Sequence, residues 1–238
     1  MTTSHSSGPS HNTVTVDEEN LEYEAPGKLL GMLSDGKVRF VDLRAGGTRL
    51  KNYRRACTLI EKADGLPLLL DVFDVEGGRV HDYNIHVNTT LGLARIAGMK
   101  FRPRRGGIYQ AHSNYPITSV FTAHPSPRPW SATWDLGGLK VRATVLSECD
   151  EVVRYRPPAW RSREDIVFLA KSRLCSLALR RKSRKSRYVV LYEVYCGGPQ
   201  VVRANLEKLR PEMTVSLRTR DAKMRITVAE GNVEVESA

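Results

Sequence analysis

Short alternating runs cut by glycine pairs constrain this chain more than any other feature of its sequence. Apolar and polar residues alternate over Thr13–Asp17, Lys37–Val41, Arg49–Leu59, Leu68–Val75, His81–Val87, Ser119–Ala123 and Lys140–Leu146. The same reading covers Asp165–Ala170, Tyr188–Tyr195, Thr214–Arg218 and Met224–Val228. A two-residue period puts successive side chains on opposite faces of a strand, and Val, Ile, Leu, Tyr and Thr suit a pleated, half-buried surface. Gly-Gly or Asp-Gly pairs at 35–36, 46–47, 64–65, 77–78, 106–107, 137–138 and 197–198 mark turns between the runs. No segment sustains a helical apolar period, and only Leu174–Leu179 could form a helical turn. The expectation is an all-β protein: an antiparallel β-sandwich or stacked β-sheets, supersandwich-like.

At 238 residues the chain can bury a sizeable core, and 41% hydrophobic with 26% charged residues is ordinary for a globular protein. No apolar run is long enough to span a bilayer, so no membrane partner is expected. The first residues have neither a basic nor an apolar signal region. Residues 1–10, rich in Ser, Gly, Pro and His, read as a disordered tail, and 11–238 as the β-domain. A candidate sub-boundary lies at 98–117, where Arg102, Arg104 and Arg105 flank Gly106-Gly107 in a loop crossing between sheets. The four cysteines (Cys57, Cys149, Cys175, Cys196) are too sparse and widely spaced for a zinc ribbon or disulfide framework, and read as small buried thiols.

The net charge of +11 is uneven: residues 1–119 carry 15 basic and 13 acidic side chains, residues 120–238 carry 22 and 13. Much of the excess is the run Arg180, Arg181, Lys182, Arg184, Lys185, Arg187, interrupted only by two serines. Such a run is either a polyanion patch or the solvated tip of a hairpin. The apolar residues before it (Leu174, Leu177, Leu179) and after it (Tyr188 to Leu191) suit the hairpin. A basic chain can bind nucleic acid, but zinc-finger spacing, a helix-turn-helix pattern and an aromatic-glycine sheet signature are all missing.

The densest chemistry lies between Tyr53 and His86. In a strand over His81–Val87, Tyr83 and Ile85 share one face, while Asp82, Asn84 and His86 line the other with an acid, an amide and an imidazole. Tyrosine or histidine can remove a proton from a sugar carbon beside a carboxylate, and the other can protonate the leaving oxygen. The competing reading makes His81 and His86 hydrogen-bonded core or edge residues.

The order Ser10-His11-Asn12-Thr13-Val14-Thr15-Val16-Asp17, then Tyr53-Arg54-Arg55, then Leu69 through Gly77-Gly78 to His81-Asp82-Tyr83 and His86 resembles the heparinase II/III-like family. The segment Ser186–Tyr195 is similar to a late strand of the same region. The resemblance covers about residues 10–88 well and 165–210 loosely. It implies an N-terminal helical toroid followed by antiparallel sheets, with an acidic polysaccharide bound between them and cleaved at its uronic acid by β-elimination. Heparin, heparan sulfate and, in related branches, alginate are the implied substrates, and a periplasmic or secreted location is typical. It makes Arg54, Arg55, His81, Tyr83 and His86 candidate substrate-binding residues.

The resemblance also implies a zinc ion held by an upstream histidine and aspartate together with the histidine of the Ser-His-Asn run, here His11. The upstream ligands and the toroid have no counterpart in the sequence, and His5 is no replacement. A lone imidazole does not hold zinc tightly. The expectation is therefore a C-terminal β-sheet part of a lyase, inactive alone and binding no zinc itself, with a separate toroid chain as its partner. A stand-alone acidic-glycan binding module, using Arg54, Arg55 and the 180–187 run, is the alternative.

Overall fold

The computed structural model describes residues 11–22, 25–87, 92–96, 98–109, 117, 120–125, 127–156 and 175–237. The strands in chain order begin with β1 (Val14–Val16), β2 (Ala25–Asp35), β3 (Val38–Gly46), β4 (Asn52–Glu61), β5 (Pro67–Glu76) and β6 (Val80–Ile85). There follow β7 (Leu93–Ile96), β8 (Arg102–Pro103), β9 (Val120–Ala123), β10 (Trp130–Asp135), β11 (Leu139–Val145) and β12 (Glu151–Tyr155). The last are β13 (Ser176–Lys182), β14 (Lys185–Cys196), β15 (Val201–Lys208), β16 (Met213–Thr219), β17 (Lys223–Ala229) and β18 (Asn232–Ser237). No helix occurs among the described residues, and none is long and apolar enough to cross a membrane.

The strands form three antiparallel sheets. An eight-stranded central sheet has the order β2-β3-β4-β5-β14-β11-β10-β7. A six-stranded sheet, β1-β6-β13-β12-β9-β8, covers one of its faces, and a four-stranded meander, β15-β16-β17-β18, covers the other. Val14, Tyr83, Leu177 and Leu179 of the six-stranded sheet pack on Phe73, Val75, Trp134 and Tyr188 of the central one. On the opposite face Leu68, Leu70, Val72 and Leu191 meet Met213, Val215, Ile226 and Val228. This is the stacked-sheet, all-β architecture expected from the alternation. β5 is buried on both faces, which is why Leu68–Val75 reads as a nearly continuous apolar run.

The Leu174–Leu179 segment is a correction: Ser176 onward is the extended strand β13 between β6 and β12, with Leu177 and Leu179 inward and Ala178 in a third cluster on the outer face. The Asp165–Ala170 run lies outside the described residues. All four cysteines are free thiols; Cys149 is buried, Cys57 and Cys175 are half-buried, and Cys196 is exposed. Burial pushes the Cys57 and Cys149 thiols up to about 12, so neither is a nucleophile at neutral pH.

Register places a boundary of burial within the central sheet. Directly paired residues share a face, so Leu29, Leu43, Arg55, Phe73 and Tyr188 form one row across five strands. Phe73 and Tyr188 lie under the six-stranded sheet at 2% and 0% exposure, whereas Leu43 and Leu29 stand open at 48% and 53%. The next row, Met32, Val41, Cys57, Asp71 and Val190, runs from 73% exposed at Met32 to fully buried at Asp71 and Val190. The covering sheet therefore stops near Arg55 and leaves an apolar shelf on β2 and β3.

Candidate functional site

Arg54 and Arg55 are neighbours on β4 and point to opposite faces. Arg54, 6% exposed, donates to both Asp42 oxygens (2.7 and 2.8 Å), to Asp74 Oδ2 (3.1 Å) and to the Ala229 carbonyl (2.8 Å). Burial opposes its charge, and Asp42 and Asp74 more than offset this, so its pKa is raised. It lies beneath the four-stranded sheet, where no polysaccharide can reach it. Its expected substrate contact is corrected to a structural ion pair.

Arg55 sits at the boundary of the covering sheet. Its Nε and Nη2 bind the two Asp71 oxygens at 3.0 and 2.7 Å, and its Nη1 donates to the Asn12 carbonyl at 2.9 Å. Burial again works against the charge, and Asp71 raises the pKa overall. Asp71 also accepts a 2.5 Å bond from the Tyr83 hydroxyl, which lies 2.9 Å from that of Tyr192. Tyr83 is fully buried, and burial followed by the Asp71 charge pushes its phenol well above the usual range. It is a hydrogen-bond donor that orders Asp71, and its expected contact with substrate is corrected accordingly.

The Asn12 side chain carries this order onward. Its Oδ1 accepts from the His86 backbone N–H at 2.5 Å, and its Nδ2 donates to the His86 carbonyl at 3.2 Å. Asn12 and His86, 74 positions apart in sequence, are thus brought to one rim beside Arg55, with His11 next to Asn12 along the chain. The His86 ring is held by Ser176 Oγ on Nδ1 (2.7 Å) and by the Tyr155 hydroxyl near Nε2 (3.4 Å). A half-exposed imidazole fixed at both nitrogens can present only one orientation to a ligand.

The outer face of β6 bears the acid, amide and imidazole in line, as alternation requires. Asp82 accepts two 2.7 Å bonds from Arg180, its direct cross-strand partner on β13, and Arg180 also reaches Glu18 at 2.6 Å. The Tyr109 hydroxyl lies 3.0 Å from Asp82 and 3.1 Å from Asn84, and Tyr155 donates to Asn84 at 3.0 Å. Burial, then Asp82, pushes both phenols well above their usual range, so neither is a base at neutral pH. Asp82 and Asn84 lie beneath this layer, and only His86 reaches the rim.

His81 faces the other end of the strand and is fully buried. Its Nε2 lies 2.6 Å from the Gly77 carbonyl and its Nδ1 2.7 Å from Ser186 Oγ, which fixes the tautomer with the proton on Nε2. Its pKa is lowered, chiefly by burial. This is the hydrogen-bonded core reading, and it replaces substrate contact for His81.

The basic run does form a hairpin, with Ser183-Arg184 at its tip between β13 and β14. It does not form one exposed patch. Arg180 is buried against Asp82, and Arg187 is paired with Asp74. Arg181 pairs with Glu148, and Lys185 with Glu76. Lys182 and Arg184 are exposed.

Neither protein-family models nor curated proteins match this sequence. The fold does match solved structures. Heparan sulfate lyase HepC from Pedobacter heparinus aligns with a TM-score of 0.54 and 8% identity, over 97% of this chain and 30% of the lyase chain. A mutant of HepC gives the same values. This chain has the fold of one region of a heparan sulfate lyase. It spans about 30% of that lyase's length, and at such identity the likeness concerns the fold.

The zinc ion implied by the sequence resemblance does not fit the described residues. Among them no three of His, Cys, Asp or Glu come together in a group that could hold a metal. The His86 ring nitrogens face Ser176 and Tyr155, and Asp71 is committed to Arg55 and Tyr83. A clean zinc site needs three or four such ligands with an ordered outer shell. A cleft of about 630 Å³ lined by Trp130, Leu146, Cys149 and Ala204 contains none of the candidate residues.

Proposed function

We propose that this chain is the β-sheet portion of a heparinase II/III-like lyase that cleaves uronate-containing acidic polysaccharides of the heparin, heparan sulfate or alginate type by β-elimination. The observation that carries the proposal is the match of nearly the whole chain to one region of a heparan sulfate lyase. The rim supports it, because Asn12, Arg55 and His86 converge where the covering sheet ends, with the exposed His11 next to Asn12 in sequence. β-Elimination requires a base at the carbon beside the carboxylate and an acid at the leaving oxygen. Tyr83 and Tyr155 beside the rim are buried donors, so what this chain presents on its wall is the half-exposed His86 ring and the one-third-exposed Arg55 guanidinium, both held in place. Arg55 acts as a positioning residue: it holds Asn12, and Asn12 holds His86.

The opposite wall belongs to a helical toroid outside these 238 residues. The apolar shelf of Leu29, Met32 and Leu43, continuous with Arg55, is the surface it would cover. Catalysis depends on two walls held in register, so the chain alone has little or no lyase activity on this reading. The test is to incubate the purified chain with heparin, heparan sulfate and alginate and follow the ultraviolet absorbance of unsaturated uronate. The expected result is no product from the chain alone and product once the toroid polypeptide is supplied. Steady product from the chain alone would contradict this division of the site.

A further inference from the structure

A second charged cleft lies at the end of β6 remote from His86. It has a volume of about 420 Å³ and is lined by Lys51, Glu76, Arg79, Arg184 and Lys185, with Asp17 and the Gly77-Gly78 turn completing its wall. The four lining cations are all exposed. Arg210 adds a fifth positive charge within reach of Glu76. Arg79 is seven positions before His86, which at about 3.3 Å per residue puts this cleft roughly 23 Å from the His86 rim.

The cleft is built from loops tied to one another. The Gly77 N–H donates to the Arg184 carbonyl at 2.9 Å, joining the β5–β6 turn to the tip of the β13–β14 hairpin. His81 clamps both from below through the Gly77 carbonyl and Ser186 Oγ. Asp17 Oδ1 accepts from the backbone N–H groups of Arg79 and Val80 at 2.8 and 2.9 Å, fixing the end of β1 to the same turn. Gly78 has φ +75°, and a Cβ there would fall 2.3 Å from Val16 and 2.9 Å from Asp17 Oδ2, so the turn closes only with glycine. Lys185 binds Glu76 at 2.7 Å. That bond and charge, with Lys51 and Arg210, hold the Glu76 carboxyl below its usual range.

We propose that this cleft is a binding site for a sulfated or carboxylated glycan chain, separate from the His11–His86 rim. Lys51, Arg79 and Arg184 supply cations for its anionic groups, while Glu76 and Asp17 accept hydrogen bonds from its hydroxyls. The mixture of signs distinguishes an acidic sugar from DNA. A DNA backbone offers phosphates without hydroxyl donors, and no aromatic platform for bases lines the cleft. Of the basic run only Arg184 and Lys185 take part, because Arg180 and Arg187 are consumed in ion pairs. The inference stands independently of the lyase reading, since it concerns binding at a different place and is tested without turnover.

The test measures binding of a heparin hexasaccharide by the full chain across a salt series. One comparison variant neutralises the cleft (Lys51→Gln, Arg79→Gln, Arg184→Gln); the other neutralises three exposed cations of the four-stranded sheet (Arg203→Gln, Arg218→Gln, Lys223→Gln). The expected result is about tenfold weaker binding and a shallower salt dependence for the cleft variant, with less than about twofold change for the other. Equal losses would show diffuse attraction to the net charge and overturn the proposal. Tighter binding of a DNA duplex through the same three residues would also overturn it. A footprint on the unaltered chain guards against misfolding of the variants: bound hexasaccharide should shield Lys51 and Lys185 from acetylation, and unchanged labelling at both contradicts the proposal.

Discussion

Two buried polar networks lie on opposite faces of the central sheet and begin at adjacent residues, yet they end differently. The Arg54 network closes on itself: Asp42, Asp74, Arg187, the Ala229 carbonyl and the Gly231 N–H satisfy one another beneath the four-stranded sheet. The Arg55 network opens outward, from Tyr192 through Tyr83 and Asp71 to Arg55, Asn12 and the His86 rim. A closed network binds two layers together and leaves nothing for a ligand. An open one transmits order from the core to side chains that solvent can reach, which is the arrangement a binding wall needs.

The largest expected effect is on the closed side. Arg54→Ala leaves Asp42 and Asp74 with one fewer cation in the interior, and should cost about 3–5 kcal/mol in chemical denaturation. A loss below about 1 kcal/mol would show that the network is not closed. On the open side Arg55→Ala should cost about 1–3 kcal/mol, because Asp71 keeps the Tyr83 hydroxyl and the guanidinium is one-third exposed. Its distinguishing sign is a changed environment at His86, visible in the imidazole proton resonances, which Arg54→Ala should leave in place. Equal shifts at His86 in both variants would erase the contrast.

The smallest effect concerns His81, which belongs to neither network. Its folded pKa is lowered by burial, against Asp17 and Asp82, which raise it, and with Arg181, which lowers it. The unfolded imidazole titrates near 6.5, so below that pH the unfolded chain binds a proton that the folded chain resists. The contribution of His81 to stability is complete above that pH and is lost as pH falls toward the folded value. Denaturation curves between neutral and mildly acid pH should show this slope, and His81→Gln should flatten it. An unchanged slope in that variant would assign the acid sensitivity to other groups.

Alternation makes the layers and the faces of β6 legible in the sequence. It placed Asp82, Asn84 and His86 on one side and Tyr83 and Ile85 on the other, as observed. What it could not supply was the extent of the covering layer. Arg54 and Arg55 both read as ligand contacts, although the same period puts them on opposite faces, and only the edge of the six-stranded sheet decides which is reachable. The basic run misled for a related reason: the partners of Arg180 and Arg187 are Asp82 and Asp74, about a hundred positions away and brought opposite by register. Asn12, Asp71, Tyr155 and Ser176 were missed as members of the rim. Asp71 alone carried a local signal, as the one carboxylate among Leu69, Phe73 and Val75 on its face of β5. β2 escaped because it is an edge strand with most of its length exposed and no alternation to betray it.

Chemical-shift mapping of the isotope-labelled chain with a heparan sulfate tetrasaccharide tests the central claim most directly. A rim that forms one wall of a polysaccharide site should respond, however weakly, at His11, Asn12, Arg55 and His86. Saturable shifts at those four residues are the predicted result. Shifts confined to the turn at Gly77–Arg79, with the rim silent at saturation, would contradict the lyase reading while leaving the second cleft intact.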